Sequence, residues 1–278
     1  MSLHIRNSTF DWGAKTYIMG VLNITPDSFS DGGQFNNVDT AVDRAKALVT
    51  AGADIIDIGG QSTRPGAEQI SLDEELNRVI PVLTAIRKVT DLVISVDTTR
   101  SEVAKAAIDA GGDIINDISG GTYDPEIFKV ASEAQAPIIL MHIRGTPATM
   151  QQLTDYDDVV AEIISFLNQQ IEIAVNTGIN RNQIIIDPGI GFAKNYEQNL
   201  EIFRRLKQLR QLNCPILIGP SRKSFIGRIL NQPDPKGRLM GTAAACSAAI
   251  FQGADIVRVH DVKEIRDVCL VTDAIVRS

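Results

Sequence analysis

The chain lacks the devices by which small or secreted proteins staple themselves. It has three cysteines in 278 residues, Cys214, Cys246 and Cys269. They are odd in number and too far apart for a zinc knuckle or a disulfide framework. They read as small buried hydrophobes in a reducing compartment. Positive charge is also short: the net charge is −7. Nucleic acid is therefore not the expected partner, since a phosphate backbone needs a basic footprint, although a local cationic pocket for a small anion stays open. No apolar run is long enough to span a bilayer, and residues 1–6 carry no signal-peptide core, so a cytoplasmic chain is expected. No linker, low-complexity tract or second domain is visible. With 44% hydrophobic and 22% charged residues, the composition is that of an ordered soluble protein.

What is present is one short phrase, repeated about eight times: an apolar run that ends in a residue able to bind or catalyse. Runs end at Asn23, at Gly59-Gly60-Gln61-Ser62-Thr63-Arg64, at Asp97, at Asn116-Asp117, at His142, at Asp187, at Gly219-Pro220-Ser221-Arg222-Lys223 and at His260. Buried parallel strands read as β-branched runs. Helical periodicity fills the gaps, at 39–51, 71–87 (with Ser71 and Glu74 spaced as a capping box), 101–110, 126–133, 158–177, 196–210, 239–252 and 262–275. Alternating strand and helix means parallel pairing with right-handed crossovers. In a doubly wound open sheet, only strands beside the switch point should end in polar residues. Here nearly all do, which predicts a single (β/α)8 TIM barrel over 1–278, with its active site at the carboxyl ends of the strands. Residues 1–16 are expected to cover the barrel floor.

Two connections, 23–38 and 61–70, exceed what a βα turn requires. Both follow early strands, and both are expected to act as lids over the mouth. The mouth offers Asp97, Asn116 and Asp187 on one side, and Arg64, Lys223, Arg258, His260, Ser62, Thr63 and Ser224 on the other. That division suits a ligand with a donor-rich heterocycle at one end and an anion at the other. Capping of the next helix competes with a site role for Asp97. A satisfied structural histidine is an equal alternative for His142. The residues after Gly219 suit an anion at a helix start, without the glycine spacing of a P-loop. No histidine has zincin spacing, so a metal is expected only as Mg²⁺ held mainly by substrate phosphates.

These segments resemble the motifs of the dihydropteroate synthase family. Asn23-Ile24-Thr25-Pro26-Asp27-Ser28-Phe29-Ser30-Asp31-Gly32-Gly33 resembles the family's first loop. Asp57-Ile58-Gly59-Gly60-Gln61-Ser62-Thr63-Arg64-Pro65-Gly66-Ala67 resembles its second. Met141-His142-Ile143-Arg144-Gly145, Asp187-Pro188-Gly189-Ile190-Gly191-Phe192, Gly219-Pro220-Ser221-Arg222-Lys223-Ser224 and Arg258-Val259-His260-Asp261 match the later ones. One departure is visible: Gln61 stands where the family usually has Glu, keeping the hydrogen-bonding shape and losing the charge.

The resemblance implies a transferase of tetrahydrofolate synthesis. It joins 4-aminobenzoate to (7,8-dihydropterin-6-yl)methyl diphosphate, releases diphosphate, and has sulfonamides as competitors of the aminobenzoate. It implies that Asp187 and Asn116 hold the pterin edge, beside Met141, Phe192, Gly219 and Val259, and that Asp97, Lys223 and Arg258 are catalytic. Thr63, Arg64, His260, Asn23 and Arg258 would hold the diphosphate, with Asn23 also on Mg²⁺. Phe29, Ser62, Arg64, Pro65, Phe192 and Ser224 would frame the aminobenzoate. A homodimer is implied as well. A methyltetrahydrofolate:corrinoid methyltransferase shares the Asp and Asn cradle but should lack both loop motifs. A non-catalytic paralogue should have lost Asp97, Lys223, Arg258 or the loops.

Overall fold

The structure is a computed structural model that describes residues 2–24, 34–64 and 66–277, with the backbone alone at 34–37. A hairpin of β1 (Ser2–Ile5) and β2 (Ser8–Asp11) precedes eight parallel strands. These are β3 (Tyr17–Asn23), β4 (Ile55–Gly59), β5 (Val93–Asp97), β6 (Ile114–Asp117), β7 (Ile138–Met141), β8 (Ile184–Asp187), β9 (Leu217–Ile218) and β10 (Ile256–Val259). Their order is β8-β7-β6-β5-β4-β3-β10-β9. A parallel bridge between Ile186 and Ile216 joins the two ends, so the sheet closes into the expected barrel. The outer helices are α1 (Gln34–Ala51), α2 (Leu72–Arg87), α3 (Ser101–Asp109), α4 (Glu126–Ala134), α5 (Val159–Asn176), α6 (Tyr196–Arg205), α7 (Ser224–Leu230), α8 (Leu239–Phe251) and α9 (Val262–Val276).

Alternation along the strands divides the core in two. Ile18, Ile115, Ile138, Val257 and Val259 face outward into the layer between barrel and helices. Met19, Ile55, Val93, Ile114, Ile139, Ile185, Leu217 and Ile256 face the barrel axis near its floor, where Leu3, Ile5 and Phe10 of the hairpin pack against them. The hairpin thus plugs the amino-terminal end of the barrel. The carboxyl ends of the strands are left for polar groups.

Strand register is pinned by a recurring turn. Gly52-Ala53-Asp54, Gly111-Gly112-Asp113 and Gly253-Ala254-Asp255 each precede a strand. The first glycine of each has positive φ (+92, +102 and +94), which glycine adopts without steric cost. Each aspartate then holds one residue of the neighbouring strand at two points. Asp54 N–H donates to Ile18 O at 2.8 Å, and Ile18 N–H donates to Asp54 Oδ2 at 2.8 Å. Asp113 does the same with Ile94, and Asp255 with Ile216. Arg6 and Arg87 neutralise Asp113, and Arg210 approaches Asp255.

Four local expectations need correction. Residues 34–38 of the long loop expected at 23–38 belong to α1. Ser71 caps α2 by accepting from Glu74 N–H, but the Glu74 carboxylate pairs with Arg78 at 2.7 Å instead of turning back, so only half of the capping box forms. The helix expected over 196–210 stops at Arg205 and continues as a 3₁₀ turn, Leu206–Leu212. Leu206, Leu209 and Leu212 are its buried residues, and a spacing of three suits the tighter helix. Finally, Asp97 caps nothing: Asp124 accepts the Ser101 N–H that opens α3.

Asp255→Ala strips the buried Ile216 N–H of its acceptor and is expected to destabilise the fold by about 3 kcal/mol. Urea unfolding should show this as a lower midpoint. Retention of the wild-type midpoint would mean that the carboxylate does not pin the strand.

Candidate active site

Strand register sets the first row of the mouth. Asn23, Gly59, Asp97 and Asn116 are successive partners on β3, β4, β5 and β6. Gly59 puts no side chain into that row, and a Cβ there would meet Asp97 in ordinary contact, 3.4 Å from its Cβ. At the centre stands Arg258 from β10. Its Nη2 donates to Asp97 Oδ2 at 2.8 Å, and its Nε donates to Asp57 Oδ2 at 2.6 Å. Asn116 Nδ2 reaches both Asp57 oxygens at 3.3 Å. The closed barrel therefore brings β4, β5, β6 and β10 onto one polar network.

Asp57 is the member that strand-end reasoning missed. It lies inside β4, two residues before the strand's end, and is fully buried. The available signal was an acid interrupting Ile55-Ile56-Asp57-Ile58, because a buried acid needs a partner.

Charge in the mouth is held away from ordinary values. Burial pushes the Asp97 carboxyl up, with Asp57, Glu75 and Asp117 adding to this and Arg258 opposing it. Burial would lower the Arg258 guanidinium, but Asp57 and Asp97 outweigh it and hold that charge firmly. Asp187 closes β8 and is nearly buried. Burial pushes its carboxyl up to about 6, against Gly189 N–H, Lys223, Lys194 and Arg258. Gly189 N–H donates to Asp187 Oδ1 at 2.7 Å. Desolvation and Arg258 lower Lys223 to about 8, while Asp187 and Asp97 raise it.

The loop after β9 presents one cation and spends the other. Arg222 sits at φ +61 and grips Asp261 with two hydrogen bonds, 3.1 and 2.5 Å. Lys223 makes no ion pair among the described residues, and its Nζ lies 4.2 Å from the Phe192 ring centroid. Phe192 and Met141 share an apolar wall with Ile118, Ile143, Met150 and Ala193. Ser221 Oγ and His260 Nδ1 are 2.9 Å apart, which sets the exposed imidazole at the rim. Gly219 follows β9 directly and has open space above Arg258, the nearest atom to a Cβ there being Arg258 Cβ at 3.9 Å. Val259 is different: its side chain is fully buried in the outer core, so only its peptide can face a ligand. Ser224 is exposed on the first turn of α7.

The loop after β4 carries Ser62 and Thr63, both half-buried, and the exposed Arg64. Gln61 spans it. Its Nε2 donates to Ser62 O (2.8 Å) and Glu68 O (2.9 Å), and its Oε1 accepts from Ile70 N–H at 2.9 Å. Arg100 donates to Ile70 O, and Gly66 N–H donates to Pro147 O. The expected aminobenzoate contacts Phe29 and Pro65, and the part of the first loop from 25 to 33, lie outside the described residues. His142 is the structural histidine: it is buried, edge-on to Phe166, and pushed down to about 2 by burial, with Lys194 and Arg144 adding to this. Among the described residues no cluster of three His, Cys, Asp or Glu could hold a metal, and no helix is long and apolar enough to cross a membrane.

Comparison with known proteins gives this mouth relatives. The family model described as pterin binding enzyme matches residues 19–260. A dihydropteroate synthase of Synechocystis sp. is 58% identical over 275 residues, covering 99% of this chain and 95% of its own. The crystal structure of a dihydropteroate synthase from Clostridium difficile in the presence of pteroic acid superposes with a TM-score of 0.92 at 47% identity, covering 97% of this chain and all of that one. One from Xanthomonas albilineans with 4-aminobenzoic acid gives 0.90 at 40% identity, covering 97% and 95%. With that likeness running the length of the barrel, the chain belongs to the dihydropteroate synthase family of pterin-binding enzymes, which are transferases.

Proposed function

We propose that this single-domain barrel condenses 4-aminobenzoate with (7,8-dihydropterin-6-yl)methyl diphosphate to give 7,8-dihydropteroate and diphosphate, in the cytoplasm. The observation that carries the proposal is the Arg258 network. It gathers Asp57, Asp97 and Asn116 on one wall of the mouth, with Asp187 and the ion-pair-free Lys223 opposite. The related structures support this reading: one was obtained in the presence of pteroic acid, in which a pterin is joined to 4-aminobenzoate, and another with 4-aminobenzoic acid alone. A corrinoid methyltransferase is less suited, because the Lys223 loop and the loop after β4 are both in place. A non-catalytic paralogue is opposed by the retained Asp97, Lys223 and Arg258.

The chemistry follows from the charges. Asp187, an acceptor with a carboxylate geometry, pairs with the parallel N–H groups of the pterin guanidine edge, and Asn116 reads the adjoining edge. Met141, Phe192 and the peptides of Gly219 and Val259 form the ring's walls. The C–O bond to diphosphate breaks with its electron pair leaving on oxygen, and positive charge develops on the pterin methylene. Asp97, fixed at 2.8 Å from Arg258, stabilises that charge electrostatically. The aromatic amine then attacks the methylene, and the proton it loses passes to the departing diphosphate or to water. Arg258, Thr63, Arg64 and His260 hold the departing diphosphate. Ser62, Arg64, Phe192 and Ser224, with Phe29 and Pro65, frame the aminobenzoate. Helix α7 has only seven residues, so its Ser224 hydroxyl and Arg64 matter more for the carboxylate than a helix dipole.

Mg²⁺ fits the donor set. Asn23 offers one neutral oxygen at the end of β3, in register with Asp97's row, and a magnesium held mainly by phosphates needs no more from the protein. When bound it would neutralise charge on the leaving group. A homodimer through α8 and α9 is supported by their packing side by side and by the exposed Met240, Phe251, Leu270, Val271 and Ile275 that they carry, apolar side chains of the kind that a partner surface covers.

The deciding assay is diphosphate release from the pterin diphosphate with Mg²⁺, with and without 4-aminobenzoate. Release with aminobenzoate and formation of dihydropteroate is expected, with slower release in its absence; a folded protein that releases none overturns the proposal. Asp97→Asn is expected to lower kcat by about 100-fold or more while pterin KM changes much less, and equal losses in both would reassign Asp97 to ground-state binding. The Asp187 carboxyl, raised to about 6, must be ionised to accept from pterin. So kcat/KM for the pterin substrate should fall as pH drops through about 6, and Asp187→Asn should remove that contribution, leaving the limb set by the raised Asp97 carboxyl. Val271→Glu with Ile275→Glu should halve the mass seen by sedimentation, and a monomeric wild type would end the dimer proposal.

A further inference from the structure

Lys194 is an ionisable group that the reaction above leaves unused, and it is 3% exposed. It follows the apolar wall in Gly191-Phe192-Ala193-Lys194, beyond the end of β8. An ammonium has three protons to donate, and three acceptors receive them. His142 Nδ1 lies at 3.0 Å, His142 O at 3.3 Å and Phe192 O at 2.8 Å. His142 follows β7 and Phe192 follows β8, so one side chain ties two βα loops together. His142 N–H completes the tie by donating to Asp187 O at 3.0 Å. Gly189, at φ +72, makes the approach possible: a Cβ there would lie 2.1 Å from His142 O and 3.2 Å from Lys194 Nζ.

This cation has no ion-pair partner among the described residues. A buried charge without a partner is costly, so the fold retains it against a price that its three hydrogen bonds only partly offset. The acid whose field it shares is Asp187, and the other charges around it, Lys223 and Arg144, are cations. Asp187 in turn is faced by Lys223, Lys194 and Arg258. Of these three, Arg258 is already engaged by Asp57 and Asp97, and Lys223 lies along the Phe192 ring, in the space proposed for ligand. Lys194, by contrast, is fixed by its hydrogen bonds to His142 and Phe192 and adds positive charge to the surroundings of Asp187.

We propose that Lys194 is a positioning residue: it staples the loops after β7 and β8 beneath the mouth and holds Asp187 as the carboxylate that receives the pterin edge. The proposal rests on the pterin role given to Asp187 above. Burial pushes the Lys194 ammonium down to about 7, with Asp187 opposing, so it is protonated over the same range in which Asp187 would otherwise take up a proton.

The test is the pH dependence of kcat/KM for the pterin diphosphate, with aminobenzoate saturating, in the wild type and in Lys194→Met, Lys194→Gln and Asp187→Asn. Removing the positive charge should move the acid limb up by about one pH unit. That is a loss close to ten-fold below pH 6 and within two-fold at pH 8. Lys194→Gln keeps an amide donor for the two loops, so it carries the test if Lys194→Met fails to show a cooperative thermal transition. A limb unmoved in both variants, or a loss of the same size at every pH, overturns the proposal while leaving Asp187 in its role. An acid limb in Asp187→Asn that coincides with the wild type's overturns the role of Asp187 itself, and the Lys194 proposal falls with it; the limb that the raised Asp97 carboxyl contributes is expected to remain.

Discussion

A guanidinium held between two buried carboxylates is the constraint around which the mouth is organised. Arg258 reaches from β10 to Asp57 on β4 and Asp97 on β5, strands separated from it in the sheet order by β3 and, for β5, by β4 as well. On an open sheet such strands would lie side by side with no common interior. Closure turns their inward faces toward one axis. The network is therefore a consequence of the barrel, and it also charges the barrel a cost. Burying three ionised groups is repaid only when the hydrogen bonds are complete. Asn116 supplies what Arg258 cannot, donating to Asp57 from the neighbouring strand. The result is a polar wall fixed by its own hydrogen bonds, standing across the mouth from Asp187 and Lys223.

The two ends of the barrel use aspartate for different purposes. At the floor, Asp54, Asp113 and Asp255 accept strand N–H groups and have basic residues beside them. Their charge is consumed in fixing register. At the mouth, Asp97 and Asp187 are buried enough to be pushed upward, and their charge is kept responsive. The hairpin supports this division by filling the floor with Leu3, Ile5 and Phe10, which keeps water from the lower barrel. In barrels generally, residues at the amino-terminal face serve stability and those at the carboxyl face serve chemistry. Here the same residue type does both, sorted by the neighbours it is given.

How much could be read in advance followed from periodicity. Strand ends were legible, because a polar residue after an apolar run is visible in one dimension: Asn23, Asp97, Asn116 and Asp187 all stand at or beside strand ends facing the mouth. The helices read from periodicity were legible to within a few residues, except where a three-residue leucine spacing turned the end of α6 into a 3₁₀ turn, while α7 was expected only as a helix start after Gly219. Groups whose role depends on closure were not legible. Asp57 lies within a strand, and only the curvature of the barrel brings it level with Arg258. Lys194 follows a loop motif and looks like a solvated lysine until β7 and β8 are set side by side. Val259 is next to Arg258 in sequence, but alternation turns its side chain to the outer core, so any contact it makes with a ligand is through its peptide.

Gln61 shows that a departure from a family pattern can be explained by hydrogen bonds rather than by charge. Its amide gives two protons to the carbonyls of Ser62 and Glu68 and accepts one from Ile70 N–H. A carboxylate at this position could still accept from Ile70. It would then bring its second oxygen against two carbonyl oxygens and leave both without a donor. The loop conformation seen here is therefore matched to an amide, and it would have to relax to take an acid. There is a second consequence for the anion side of the mouth. Arg64 is three residues from Gln61 on the same loop and exposed. A neutral residue at 61 adds no negative charge beside Arg64, so Glu68 is the one acid within residues 61–70.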